Sequence, residues 1–233
     1  MDAASGWDRW APMSGLVFAV SFLVLFFAFL GPGELPANVG AAQIAGYYQG
    51  RGGPGFLLMY SLIGLSGAAL LWFTASLRAS LRRLEPAPGS LADVAYGGGL
   101  ASAILLLAGG AILLAPFAMI FDSAPRTIDP MVYHLLDAAA FLSINLGLFG
   151  QAMMVVATSL VALRWGGFPK WFAWSGFLMA VALVLNLLYF FGIFIWVLWV
   201  LMAGTLLLTR PVGRASLGVR SSAPPPQALD VVP

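Results

Sequence analysis

The sequence predicts an all-α protein, a polytopic transmembrane helix bundle of six spans with both ends of the chain in the cytoplasm. Three observations lead there. Apolar runs long enough to cross about 30 Å of hydrocarbon, about 20 residues each, recur along the chain. The composition is 61% hydrophobic and only 9% charged, where a soluble domain carries about a quarter charged residues. The few lysines and arginines cluster beside alternate apolar runs, as the positive-inside rule requires.

The first span is expected at 13–30, "MSGLVFAVSFLVLFFAFL", closed by the breaker "GPGELP". Asp2 and Asp8 beside a single Arg9, with no small-x-small cleavage signal, favour a span over a cleaved leader. The second is expected at 55–77, running into Arg78, Arg82 and Arg83. The third covers 92–121, where Ser90 and Asp93 have capping-box spacing. The fourth covers 131–163, with Asp129 as N-cap and Pro130 at the first helical position. Pro169 starts the fifth, 170–189, and the sixth, 193–209, follows a turn at "FFG", Phe190–Gly192. In the Gly31–Pro54 loop, "AAQIAGYYQGRGG" is expected to form a short helix lying on the membrane with Ala41, Ile44 and Tyr47 toward lipid. Residues 1–210 thus form the membrane domain. The tail 211–233, with "SSAPPPQ", is expected to be disordered.

Six spans place Arg9, Arg78, Arg82, Arg83, Arg164, Lys170, Arg210, Arg214 and Arg220 on one side, and only Arg51 and Arg126 on the other. That bias implies a bacterial cytoplasmic membrane with both termini inside. Trp7, Trp10, Tyr96, Trp165, Trp171 and Trp174 fall near the inner boundary, and Tyr47, Tyr48, Tyr60, Tyr133 and Tyr189 near the outer one. The run Arg78–Arg83 fixes topology and meets anionic head groups. The pI of about 9.2 accompanies a net charge of only +2, so nucleic acid is not an expected partner. No cysteine is present, which removes disulfides and thiolate chemistry.

One apolar segment carries most of the polar chemistry. In "YHLLDAAAFLSINLGLFGQ", 133–151, His134, Asp137, Asn145 and Gln151 fall within about 120° of one helix face at about 100° per residue. A lipid-facing aspartate costs several kcal/mol, roughly, so this stripe is expected to face the bundle or a wet cavity. Asp137 lies roughly 10 Å along the helix from its outer end, one turn from His134. Asp122 and Arg126, in the preceding loop, lie within reach. The binding set is therefore His134, Asp137, Asn145, Gln151, Arg126 and Tyr133, with Asp137 and His134 as the catalytic candidates if a reaction occurs. The bland counterpart is an interhelical hydrogen-bond seam joined by Asn186.

His134, Asp137, Asp129 and Asp122 are possible metal donors, but the chain has a single histidine and no HxxxH spacing. No metal and no cofactor is expected. Ser143 lies on the face opposite Asp137, which defeats a Ser–His–Asp arrangement. "AYGGGLAS", 95–102, follows no strand and precedes no lysine, so it is not a phosphate loop. Its glycines, with Gly64, Gly67, Gly109 and Gly110, instead suit close helix packing. The other five spans carry no charge in their central turns, which speaks against a coupled transporter.

The stretches "RWAPMSGLVFAVSFLV", "AAQIAGYYQGRGG", "LRASLRRLE", "YHLLDAAAFL" and "ALRWGGFPKWFAWSGFLMAVALVL" resemble a large group of six-helix integral membrane proteins from high-GC bacteria. The resemblance covers roughly residues 9 to 210 and implies a compact helical bundle. That group has no assigned activity, so it implies no site residue. The residues suggest a protein that binds a lipid or apolar small molecule in an outward-facing polar pocket, or a subunit of a membrane assembly or homo-oligomer. The alternatives are an intramembrane isomerase- or cyclase-type enzyme using Asp137 for proton transfer on a lipophilic substrate, and a small transporter.

Overall fold

The computed structural model describes residues 10–30, 40–121, 129–185 and 189–209. Within them the chain is helical, with no strand, and six long helices follow one another: α1 Met13–Leu30, α2 Ala41–Leu84, α3 Ser90–Phe121, α4 Pro130–Trp165, α5 Lys170–Leu185 and α6 Tyr189–Thr209. Each packs on the next, and α6 returns to pack on α1, so the helices form an up-and-down ring. The antiparallel sense shows in the paired contacts. Ser21 meets Ser66 between α1 and α2, and Trp196 of α6 meets Phe18 and Phe22 of α1.

One end of the ring carries Arg78, Arg82 and Arg83 at the close of α2, Arg164 at the close of α4 and Lys170 at the start of α5. The other carries Tyr47, Tyr48 and Tyr133. These are called the basic end and the tyrosine end. The start of α1 and the close of α6 meet at the basic end, where Gly204 lies against Pro12 and Gly15.

Gly53–Leu84, Ser90–Met119 and Pro130–Trp165 are long and apolar enough to cross a membrane; Met13–Ala28, Lys170–Leu185 and Phe194–Thr209 are shorter apolar helices. Large apolar side chains stand exposed on the outside, among them Leu178 at 75%, Tyr60 at 63% and Trp72 at 55%. Inside, aromatic and aliphatic side chains close the core: Phe18, Phe73, Phe172, Trp196 and Trp199 are all essentially inaccessible.

The α3–α4 interface is the most extensive. A Cβ on Gly98 would strike the Gly150 carbonyl oxygen and the Met154 amide, and one on Gly109 would strike the Ala140 carbonyl and Ile144. Small residues thus repeat at 98, 102 and 109 on α3 and at 140, 143, 147 and 150 on α4, and let the two backbones touch. The α2–α3 interface uses the same device: Gly67 of α2 lies against Leu107, and Gly99 and Gly110 of α3 lie against Thr74 and Ile63. Gly64 and Gly97 have nothing within 4 Å and take no part.

Four expectations are corrected. The residues expected to lie on the membrane surface are the first turns of α2, a single 44-residue helix with Pro54 inside it. An internal proline costs about 3 kcal/mol; here the turns before it are held by packing. Of the three residues expected to face lipid, Ile44 is buried and Ala41 and Tyr47 are half-buried; Ile44 and Tyr48 pack beside Met59, Leu114 and Phe117. The start of α2 is closed by the Gln43 side chain, whose Oε1 accepts from the Gly40 amide at 3.0 Å.

The break between the last two helices also moves. Tyr189 opens α6 and Gly192 lies within it, since one glycine is a weak breaker in an apolar run. The start of α3 is not closed by Ser90 and Asp93. Glu85, 8% exposed, accepts the Leu91 and Ala92 amides at 2.9 and 2.8 Å. Its carboxylate satisfies two donors that helix geometry leaves open. Asp93 is turned to α2, where Arg78 and Arg82 both bind it at 2.7–2.8 Å. The Arg78 guanidinium also lies over the Tyr96 ring, 4.9 Å from its centre. The fourth correction concerns the polar stripe of α4.

Candidate binding cavity

Helix α4 begins as expected, with Asp129 Oδ1 accepting from the Met131 amide at 2.7 Å and Pro130 in the first turn. The stripe it was expected to bury is divided. His134 and Asp137 are exposed, Asn145 is intermediate, and only Gln151 is buried, at 4%. The first turns of α4 pack through Tyr133, half-buried against the cluster of Tyr48 and Phe117, while His134 and Asp137 stand on the open side of those turns. Among the described residues of α4, burial starts at Ala140. Sharing a helix face therefore did not mean sharing neighbours.

Tyr133, His134 and Asp137 gather at the tyrosine end with Tyr48. The Tyr48 ring meets Phe117 edge-on at 4.5 Å and lies 6.2 Å from Tyr133, which in turn lies 5.3 Å from His134. Burial above all, then the charge and hydrogen bond of Tyr133 and the charge of Asp137, push the Tyr48 phenol above its ordinary range. Tyr48 is thus a neutral hydroxyl at any physiological pH. Asp137 lies close enough to be felt there, on an open surface rather than in an enclosed pocket. Among the described residues no group of three or more His, Cys, Asp or Glu side chains is placed to hold a metal ion. Arg126, Asp122 and Asn186 lie outside the described residues, as does the tail.

Asn145 and Gln151 go to different places. Gln151 lies within the α3–α4 packing, where its Oε1 and the Ser102 hydroxyl have no hydrogen-bond partner. Asn145 instead lines a cavity of about 170 Å³ between α1, α2, α3 and α4. The ring explains the cavity. Helices α1 and α4 face each other without packing closely, while glycines draw α3 against both α2 and α4. Phe22 and Leu25 form one wall, Ile63 and Leu113 the sides, and Ile144 and Leu148 the opposite wall.

Among the described residues Asn145 is the one polar side chain on those walls. Its Nδ2 donates to the Phe141 carbonyl at 2.8 Å. Because that acceptor is a carbonyl, the nitrogen is fixed on the helix side and Oδ1 is left to accept. From Pro130, Asn145 lies about 22 Å along α4, about 12 Å beyond Asp137. The cavity and the Asp137 cluster are therefore separate places. Sequence reasoning named Asn145 but had no signal for the remaining walls, which are ordinary core residues on three other helices.

The chain matches no protein-family model, and neither a curated protein nor a solved structure is significantly similar to it.

Proposed function

We propose that the chain is a membrane-embedded binding protein that holds a compact apolar molecule carrying one hydrogen-bond donor, an alcohol or phenol, in the cavity at Asn145. The observation that carries this reading is the pairing of an all-apolar wall with a single carbonyl acceptor. Apolar packing favours the body of the guest, and Asn145 Oδ1 orients its hydroxyl. Size suits such a guest: a dry apolar cavity of about 150 Å³ accommodates benzene, and the space at Asn145 measures about 170 Å³ and opens partly to the outside. Membrane residence is supported by the three spanning-length apolar helices and by exposed apolar side chains on every side. The same reading takes all six helices as spans, with the basic end in the bacterial cytoplasm.

The test uses phenol and toluene as matched probes, titrated calorimetrically into the purified protein in detergent. Phenol is expected to bind more tightly, Asn145→Leu to erase that advantage, and Leu113→Trp to abolish binding of both. Failure of both probes to bind wild type would remove this reading. The rival, proton transfer on a lipophilic substrate by Asp137, draws on the Tyr48–Tyr133–Asp137 cluster. It predicts that Asp137→Asn abolishes turnover of a lipophilic substrate while phenol binding at Asn145 is unchanged.

A further inference from the structure

A second apolar depression lies elsewhere, in the groove between α3, α4 and α5. It measures about 600 Å³, opens to the outside of the bundle, and among the described residues has only apolar side chains on its walls, including Leu91, Val156, Leu160, Phe177 and Val181. The groove is too open to be a core defect and too apolar to be filled by water. Its two ends differ. At the basic end the lining stripes of α4 and α5 both continue into cations. At about 100° per residue, Arg164 falls on the α4 stripe one turn beyond Leu160, and Lys170 on the α5 stripe two turns before Phe177. Trp174 lies between Lys170 and the groove, 62% exposed, with its ring 5.9 Å from Phe177.

The pairing of charges at this end selects these two cations. Arg78 and Arg82 are both consumed by Asp93. The nearby acid Glu85 is occupied by the α3 amides. Arg164 and Lys170 are exposed, and among the described residues no carboxylate forms an ion pair with either. Arg164 lies over the Trp165 ring, 6.0 Å from its centre. Long basic side chains whose stems lie along apolar surface present their heads at a membrane interface.

We propose that this groove is a site for one anionic phospholipid, an acyl chain lying along Val156, Leu160, Phe177 and Val181 and the phosphate seated on Arg164 and Lys170. The charge complementarity at one end, and its absence along the rest, fits a molecule with a single anionic head and an apolar tail. The site is separate from the cavity at Asn145 and asks only that the bundle sit in a membrane.

The experiment is native mass spectrometry of the full chain in detergent, titrated with phosphatidylglycerol and with phosphatidylcholine of identical acyl chains. Wild type is expected to retain phosphatidylglycerol about thirtyfold better, the scale set by two interfacial cations. The double variant Arg164→Gln/Lys170→Gln is expected to bind both lipids equally. Val181→Trp, which fills the groove from an exposed position, is expected to lose both. Leu113→Trp, in the central cavity, is expected to change nothing, which separates failure here from failure of the cavity reading. Absence of an anionic preference in wild type, or its persistence in the double variant, would overturn the proposal. So would a dimer that forms through the groove in place of lipid, revealed by its loss in Val181→Trp.

Discussion

Helix α4 meets two neighbours in opposite ways. Toward α3 it presents Gly147 and Gly150, and the two backbones come into contact. Toward α1 it presents Ile144, Asn145 and Leu148, and a cavity of about 170 Å³ remains. The difference does not follow from hydrophobicity, since both faces are apolar. It follows from where the small residues are. In a bundle surrounded by hydrocarbon, apolar burial gives helices little reason to associate, so close backbone approach and dispersion decide which pairs seal. The α3–α4 pair has the small side chains for that approach, whereas the ring leaves α1 and α4 apart.

The largest test of this contrast is Gly150→Val. The added methyls would meet the Gly98 carbonyl and the Ser102 amide, and backbone cannot give way as a side chain can. The expected loss is about 3 kcal/mol, or failure to assemble, read as unfolding in graded detergent denaturation. Leu148→Ala, on the cavity side, removes packing that is already incomplete. A loss of about 2 kcal/mol is expected, at the low end for a buried leucine, with binding of a bulkier phenol gained. A larger loss than for Gly150→Val would break the comparison. Ser102→Ala is the smallest and sharpest change. The Ser102 hydroxyl is buried in the seam without a partner, so its removal is expected to leave stability unchanged or raise it by about 1 kcal/mol. A loss above that would mean that the hydroxyl contributes a hydrogen bond across the seam.

Much of this contrast was legible in part. The glycines of "AYGGGLAS" and Gly109 point to close packing on spacing alone, because only a missing Cβ permits it. What the spacing could not tell is which neighbour each glycine meets, so Gly64 and Gly97 were credited with contacts they do not make. The helix positions were legible for a similar reason: long apolar runs with basic ends have few other uses. Helix ends were less so. Pro54 reads as a breaker, yet α2 runs through it because Ile44 and Tyr48 find a hydrophobic pocket made by α3. Glu85, six residues before the amide it caps, has no local motif to announce it.

The polar stripe of α4 shows the same limit for function. The spacing puts His134, Asp137, Asn145 and Gln151 on one expected stripe, yet their exposure differs from end to end of it. Exposure depends on what the neighbouring helices place alongside, which is a property of the other chain segments. Asp137 stands exposed, Gln151 stands buried, and Asn145 faces a space whose walls come from four helices. The acid that looked most chemical lies in the open, and the amide that looked structural lies in the cavity.

The return of α6 onto α1 bears on how such a chain is made. Trp196 packs between Phe18 and Phe22, so the aromatic face of the first helix waits for nearly the whole chain to be synthesised before it is covered. The most extensive earlier interfaces join helices adjacent in sequence and can form as each one emerges. The ring is therefore a zipper closed late, by α6. During synthesis the aromatic side of α1 is the surface left uncovered longest, and a chain stalled before α6 keeps it open.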